Sequence, residues 1–162
     1  MRMRTVSRGI VASLLLNTSG AAPVAQPSPP ESPQAKKIVT LVERAAARVA
    51  VEGKAAFTEF RKKGSEWFDG ETYLFAYDMK GNVLLNPAFP KREGTNVIGQ
   101  TDANGKKFHD AIIKTAESRG SGWVDYMFPR PGQTTPSHKW TYVKQVSVDG
   151  VPGLIGAGFY GE

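Results

Sequence analysis

An apolar stripe that keeps helical phase from Ile38 to Phe60 is the strongest constraint on this chain. Ile38, Leu41, Val42, Ala45, Ala46 and Val49 recur at helical offsets, and Ala56, Phe57 and Phe60 continue the phase through Gly53. Ser32 and Pro33 supply an N-cap and a first-turn proline, Arg61, Lys62 and Lys63 suit the negative helix end, and Gly64 suits the position after it. The spacing predicts one helix over residues 34–63, roughly 30 residues and about 45 Å long. A small sheet does not cover that length. Its first half is expected to stand in solvent or against a partner chain.

Beyond Gly64 the pattern changes to strands. Tyr73 to Tyr77 is rich in strand formers, Asp78-Met79-Lys80-Gly81 reads as a turn, and Val83 to Leu85 returns as a second strand ended by Pro87. Residues 86–105 form a long connector with prolines and glycines, of the kind that covers a site. Lys106 to Arg119 reads as a second helix stopped by Gly120, with Phe108, Ile112, Ile113 and Ala116 inward. Trp123 to Phe128, Lys139 to Val148 and Leu154 to Tyr160 are three more strands, the last two joined by an Asp149-Gly150 turn. Nearly every link is short. The expected fold is therefore α/β of the α+β kind: a long N-terminal helix, a five-stranded antiparallel sheet, a lid segment and a second helix.

The N-terminus reads differently. Arg2, Arg4 and Arg8, the apolar Gly9 to Leu16, and the small residues up to Ala25 have the order of a secretory leader, so residues 1–25 are expected to be a signal peptide. Residues 26–33 are a proline- and serine-rich linker, and residues 34–162 one domain. The expected location is periplasmic or secreted. There is no cysteine, which removes thiolate catalysis and cysteine-held metals. The net charge of +6 concentrates no basic face: three of the 21 basic residues lie in the leader, leaving 18 against 15 acids. Nucleic acid is not an expected partner.

Catalytic signals are weak. His109 and His138 are the only histidines, lack metal-ligand spacing, and both read as surface residues. Gly156 and Gly158 lie in the last strand with no helix after them to hold phosphate, and read as positions of close packing. Asp102 and Asp110 stand in no recognisable acid–base context. No enzyme activity, metal or cofactor is expected. The last three strands instead collect Trp123, Tyr126, Phe128, Trp140 and Tyr142 with Lys139 and Lys144. Aromatic walls with one or two cations suit a small organic anion. The same residues also serve as core and cross-strand pairs with solvated lysines, so composition leaves both readings open.

Several segments, taken in order, resemble single Cache domains, the extracytoplasmic sensor modules with a PAS-like sheet. They are the hairpin Tyr73 to Pro87, the connector Gly94-Thr-Asn-Val-Ile-Gly99, the lead Asp102-Ala-Asn-Gly-Lys-Lys-Phe108 into the second helix, and the strands Gly122 to Tyr126, Lys139 to Lys144 and Ile155 to Tyr160. Asn86 stands where many members have histidine. The resemblance implies a single Cache-like ligand-binding domain over residues 34–162, expected here as a stand-alone sensing module without a signalling domain. It implies a small organic acid or amino acid as ligand, a basic residue at Lys139, and a membrane receptor or signalling partner that reads occupancy. The candidate site is Lys139 as anion partner, Tyr126 and Tyr142 as hydrogen-bonding walls, Trp123 as an apolar wall, and Asn86 at the hairpin end. Side chains two apart share a strand face, so Lys139 and Tyr142 meet only if a bulge intervenes. In regular strands the set divides into Lys139 with Thr141 and Tyr142 with Lys144. The alternative function is an accessory protein that binds a partner through its long helix, and the same stripe offers a homodimer seam.

Overall fold

The computed structural model describes residue 25 and residues 27–161. The expected leader, residue 25 apart, lies outside the described residues, as does residue 26 of the linker. Helix α1 spans Pro33–Glu52 and is capped by Ser32, whose Oγ accepts from the Ala35 amide at 3.1 Å. It does not run on to residue 63 as the spacing predicts. Gly53 takes φ +59°, a 3-10 turn covers Gly53–Ala56, and a short helix α2 covers Phe57–Phe60. The cause is distant in sequence. The Asp149 carboxylate accepts from the Lys54 amide at 3.3 Å, and a β-carbon on residue 53 would overlap that carboxylate. Only glycine combines a positive φ with no side chain. The stripe nevertheless stays buried through Ala56, Phe57 and Phe60.

Six antiparallel strands follow: β1 Phe68–Asp69, β2 Thr72–Asp78, β3 Val83–Leu85, β4 Ser121–Pro129, β5 Pro136–Val148 and β6 Val151–Tyr160. Their order is β1-β2-β6-β5-β4, with β3 also paired to β2. The two-residue β1 is the addition to the five expected strands. Asp149 at φ +51° and Gly150 at φ +82° make the tight β5–β6 turn. Helix α3 spans Phe108–Arg119 and stops at Gly120, φ +77°. No described helix is long and apolar enough to cross a membrane.

One face of the sheet, through Leu74, Ala76, Val146, Val148, Ile155 and Ala157, packs against α1. The helix's first half is covered, contrary to expectation: Ile38 is 2% exposed and Val42 fully buried. Strand length explains it. β5 has 13 residues and spans about 43 Å at about 3.3 Å per residue, more than the roughly 30 Å of the 20-residue α1. The stripe that a homodimer seam or an accessory-protein interface would use is taken up by the chain's own sheet. The opposite face carries Phe75, Tyr77, Val124, Tyr126, Val143 and Leu154, covered by α3 and the lid residue Val97.

The lid also protects a sheet edge. β4 is an edge strand, and an open edge invites pairing with other chains. Asp102 Oδ2 accepts from the outward Met127 amide at 2.9 Å, Asp102 Oδ1 accepts from the Asn104 and Lys106 amides, and Lys106 Nζ donates to the Asp125 carbonyl and carboxylate. The Asp102-Ala-Asn-Gly-Lys106 segment is therefore an edge cap, a role the sequence alone did not reveal. Asp102→Ala is expected to lower stability by about 1–3 kcal/mol. The readout is a lower urea midpoint at unchanged slope, with concentration-dependent self-association. An unchanged midpoint counts against the cap.

Candidate functional site

The strand alternation decides which candidate residues meet. β4 and β5 pair without a register shift, Tyr126 opposite Lys139 and Trp123 opposite Tyr142. No bulge brings the two sets together. Lys139, Thr141 and Tyr126 lie on the lid face, and Trp123 and Tyr142 lie on the α1 face. Trp123 packs edge-on against Tyr142 and Phe159, with ring centroids 5.3 and 6.1 Å apart. Tyr142 Oη donates to Glu43 of α1 at 3.3 Å, and Lys144 Nζ donates to the same carboxylate at 2.5 Å. The expected wall of Tyr142 and Trp123 beside Lys139 is thus corrected: both residues, with Lys144, fasten α1 to the sheet.

Lys139 differs from Lys144 in the one respect that matters for a ligand. It is 1% exposed, and among the described residues it forms no salt bridge. Its Nζ donates to Tyr73 Oη at 2.9 Å and stands 4.2 Å from the Tyr73 ring centroid, 5.1 Å from that of Tyr160 and 5.5 Å from that of Phe128. Burial pulls its pKa down to about 7, against a weaker opposing pull from Glu71. Gly158 makes room for it. A β-carbon there would come within 2.6 Å of Thr141 Oγ1 and 2.8 Å of Lys139 Cε. Gly156 likewise lets Phe75 lie across the strand, since a β-carbon would sit 2.6 Å from its Cζ. The two glycines serve side-chain packing.

Around Lys139 the lid face is polar and aromatic. Tyr126 Oη and Thr141 Oγ1 stand 3.0 Å apart. Burial holds the Tyr73 and Tyr126 phenols well above their ordinary pKa, so both remain protonated and able to donate. Tyr160 donates to the Pro129 carbonyl at 2.8 Å, and its ring lies under the Arg130 guanidinium, which is paired with Glu71. Phe89 and Phe128 of the lid and β4 meet edge-on at 5.2 Å, and Phe108 of α3 stacks on Tyr126 at 4.3 Å.

Asn86 is buried at the base of the lid, where its Oδ1 accepts from the Phe89 amide at 3.1 Å and its own amide donates to Glu93 at 2.8 Å. It fixes the lid's first turn. His109 is a correction: it is 1% exposed, not a surface residue. Its Nε2 lies 2.9 Å from Arg92 Nη2, and burial with the Arg92 charge pulls its pKa down to about 3. The signal was present, because His109 stands three and four residues before Ile112 and Ile113 on the inward face of α3. His138 is exposed and lies 3.1 Å from Asp125. Tyr73, Tyr160 and Arg92 are further residues of this candidate cluster that sequence reading missed. Tyr73 and Tyr160 were recoverable from strand alternation, whereas Arg92 sits in a lid without periodicity. Open surface grooves occur elsewhere, at Arg119 to Ser121 beside Lys144 to Ser147 and at the start of α1 beside Trp123, and no buried ionisable group lines them.

A family model described as Cache domain matches residues 54–162. The methyl-accepting chemotaxis protein McpP of Pseudomonas putida is 26% identical over 93 residues, 57% of this chain, and the match spans 17% of that relative's length. A solved periplasmic sensor domain of a chemotaxis protein is 32% identical, with a TM-score of 0.64 over 80% of this chain and 95% of that one. A solved Cache chemosensory domain, described as a structural basis for carboxylic acid recognition, shares the fold at 22% identity and a TM-score of 0.68, over 79% of this chain and 93% of that one.

Proposed function

The chain belongs to the Cache domain family, and from that premise we propose that it binds a small organic anion, a carboxylic or amino acid, between the lid and the sheet outside the cytoplasm. The observation that carries this reading is the buried Lys139 ammonium, which faces three aromatic rings and forms no salt bridge among the described residues. An unpaired buried charge is costly. A carboxylate from solution would supply the missing partner, with the Tyr73 phenol as a neighbouring donor. Carboxylic acid recognition by the Cache chemosensory domain of the same fold agrees with that chemistry. Occupancy would be read by a membrane receptor or another signalling partner, and no catalytic step is assigned. Export through residues 1–25 and tethering by residues 26–33 complete the reading. A mature mass that still includes Met1 would contradict the export step.

The test is a thermal-shift titration with acetate, propionate, pyruvate and the common amino acids. A ligand at a hundredfold its Kd stabilises the folded state by about 2.7 kcal/mol. In a domain of this size that raises Tm on the order of 10 °C. A panel that leaves Tm unchanged at millimolar concentrations, with no heat of binding by calorimetry, would sink the proposal.

A further inference from the structure

β5 outruns its neighbour β4. β4 begins at Ser121, opposite Lys144, because Gly120 caps α3 and returns its amide to the Ala116 carbonyl. β5 runs on to Val148, so its last residues have β6 on one side and no strand on the other. The β5–β6 turn fixes which backbone groups are open. Val148 and Val151 flank that two-residue turn and face each other, so Val146 and Val148 direct their amides and carbonyls at β6 while Gln145 and Ser147 direct theirs outward. The Gln145 amide donates to the Gly120 carbonyl at 2.7 Å. Among the described residues, nothing accepts from the Ser147 amide or donates to its carbonyl.

Unpaired strand groups recruit another strand, and chains that avoid this place a proline, a bulge or a cap at the edge. The β4 edge has its cap in Asp102 and Lys106. The end of β5 has none: its ladder with β6 is regular up to the turn, and Ser147 is exposed. A groove runs along each side of this open stretch. On the α3 face it is lined by Arg119, Gly120, Gln145, Ser147 and Pro152, with no acid. Arg119 forms no salt bridge among the described residues. On the α1 face it is lined by Ala46, Ala47 and Ala50, whose short side chains leave room for larger apolar ones.

A strand added in line with β4, antiparallel to β5, sends its side chains alternately into the two grooves. Those opposite Val146 and Val148 enter the alanine groove, and the one opposite Ser147 faces Arg119. A second copy of this chain, paired through the same edge, does not supply that chemistry. Its Val146 and Val148 already lie under its own α1, and its Asp149 carboxylate is committed to the Lys54 amide. We propose that the open end of β5 docks an extended segment of another protein in which apolar side chains flank an acidic one. Ser147 exchanges two backbone hydrogen bonds with the segment, the acidic side chain pairs with Arg119, and the apolar ones cover Ala46, Ala47 and Ala50. None of the residues around Lys139 takes part, so this surface is separate from the ligand site.

The experiment is an amide-detected NMR titration of the full chain with an acetylated, amidated peptide of the order threonine, valine, glutamate, valine, threonine. Saturable shifts are expected at Val146, Ser147 and Val148 and at Ala47 and Ala50. Glutamine in place of the peptide's glutamate is expected to weaken binding about fivefold. N-methylation of that glutamate, which removes the donor to the Ser147 carbonyl, is expected to weaken it about tenfold. Arg119→Gln is expected to make the glutamate and glutamine peptides bind equally. Absence of saturable shifts at millimolar peptide would overturn the proposal, as would binding indifferent to N-methylation. Equal binding of the glutamate and glutamine peptides to the parent protein would overturn the acidic partner. These comparisons use the parent chain alone, so they hold even if the variant misfolds. Concentration-dependent broadening of the Ser147 amide without peptide would assign the edge to a second copy and overturn the proposal.

Discussion

Lys139→Met is expected to weaken carboxylate binding by about 10- to 150-fold while making the unliganded protein harder to unfold at neutral pH. The first effect follows from losing a charge-assisted hydrogen bond to the ligand, about 1.5–3 kcal/mol, at about 1.4 kcal/mol per tenfold. The second follows from burial. Lys139 is 1% exposed, and its ammonium is removed from water with no salt bridge among the described residues and only a weaker pull from Glu71 to offset the loss. Methionine keeps the unbranched stem that Gly158 accommodates and carries no charge. Opposite signs for binding and stability separate a ligand-binding lysine from a structural one. Lys144→Met gives the contrast: it removes the partner of Glu43 and detaches part of α1, so it is expected to lower stability and leave affinity alone. Calorimetric titration and urea unfolding of both variants provide the readouts. Binding lost with Lys144→Met and kept with Lys139→Met would place the ligand on the opposite sheet face.

The contrast between the two lysines also shows how far the sequence could be read. Strand alternation alone separates Lys139 and Thr141 from Tyr142 and Lys144, because successive side chains point to opposite faces. What alternation lacks is the identity of each face. The α1 face was decided by Glu43, on the far side of a long sequence gap, accepting from both Tyr142 and Lys144. The helix stripe was legible because burial continues through Phe60, and its break was not, because Gly53 turns on the carboxylate of Asp149. The β5–β6 turn was legible from two adjacent residues, Asp149 and Gly150, whose chemistry is local. β1, two residues long, offers no periodicity to detect. Arg92 lies beyond any pattern as well. Its place is set by the 3-10 turn Pro90–Arg92 and by Gln100 and His109, all tertiary facts.

Stability of the unliganded protein is expected to rise as pH increases from about 7 toward 9.5, a trend that Lys139→Met removes. Burial lowers the Lys139 pKa from 10.5 to about 7 in the folded protein. Between those values the unfolded chain binds the proton and the folded chain has released it. The unfolded state therefore holds more protons in this window, and the free energy of unfolding grows with pH. Below pH 7 both states are protonated and the contribution is flat. Each unit of displacement corresponds to about 1.4 kcal/mol, so the rise across the window is on the order of 3 kcal/mol. Above pH 10 the sign reverses for another reason. The buried phenols of Tyr73, Tyr77 and Tyr126 have raised pKa values, so they keep their protons in the folded protein after the unfolded chain has lost them. Stability then falls as pH increases. Ligand affinity runs against stability in the first window: a carboxylate needs the ammonium, so affinity declines about tenfold per unit once pH exceeds the folded pKa of Lys139. The measurement is urea unfolding of parent and Lys139→Met from pH 6 to 9.5, paired with affinity over the same range. Parallel stability curves for the two proteins would show that Lys139 titrates normally and is not held away from water.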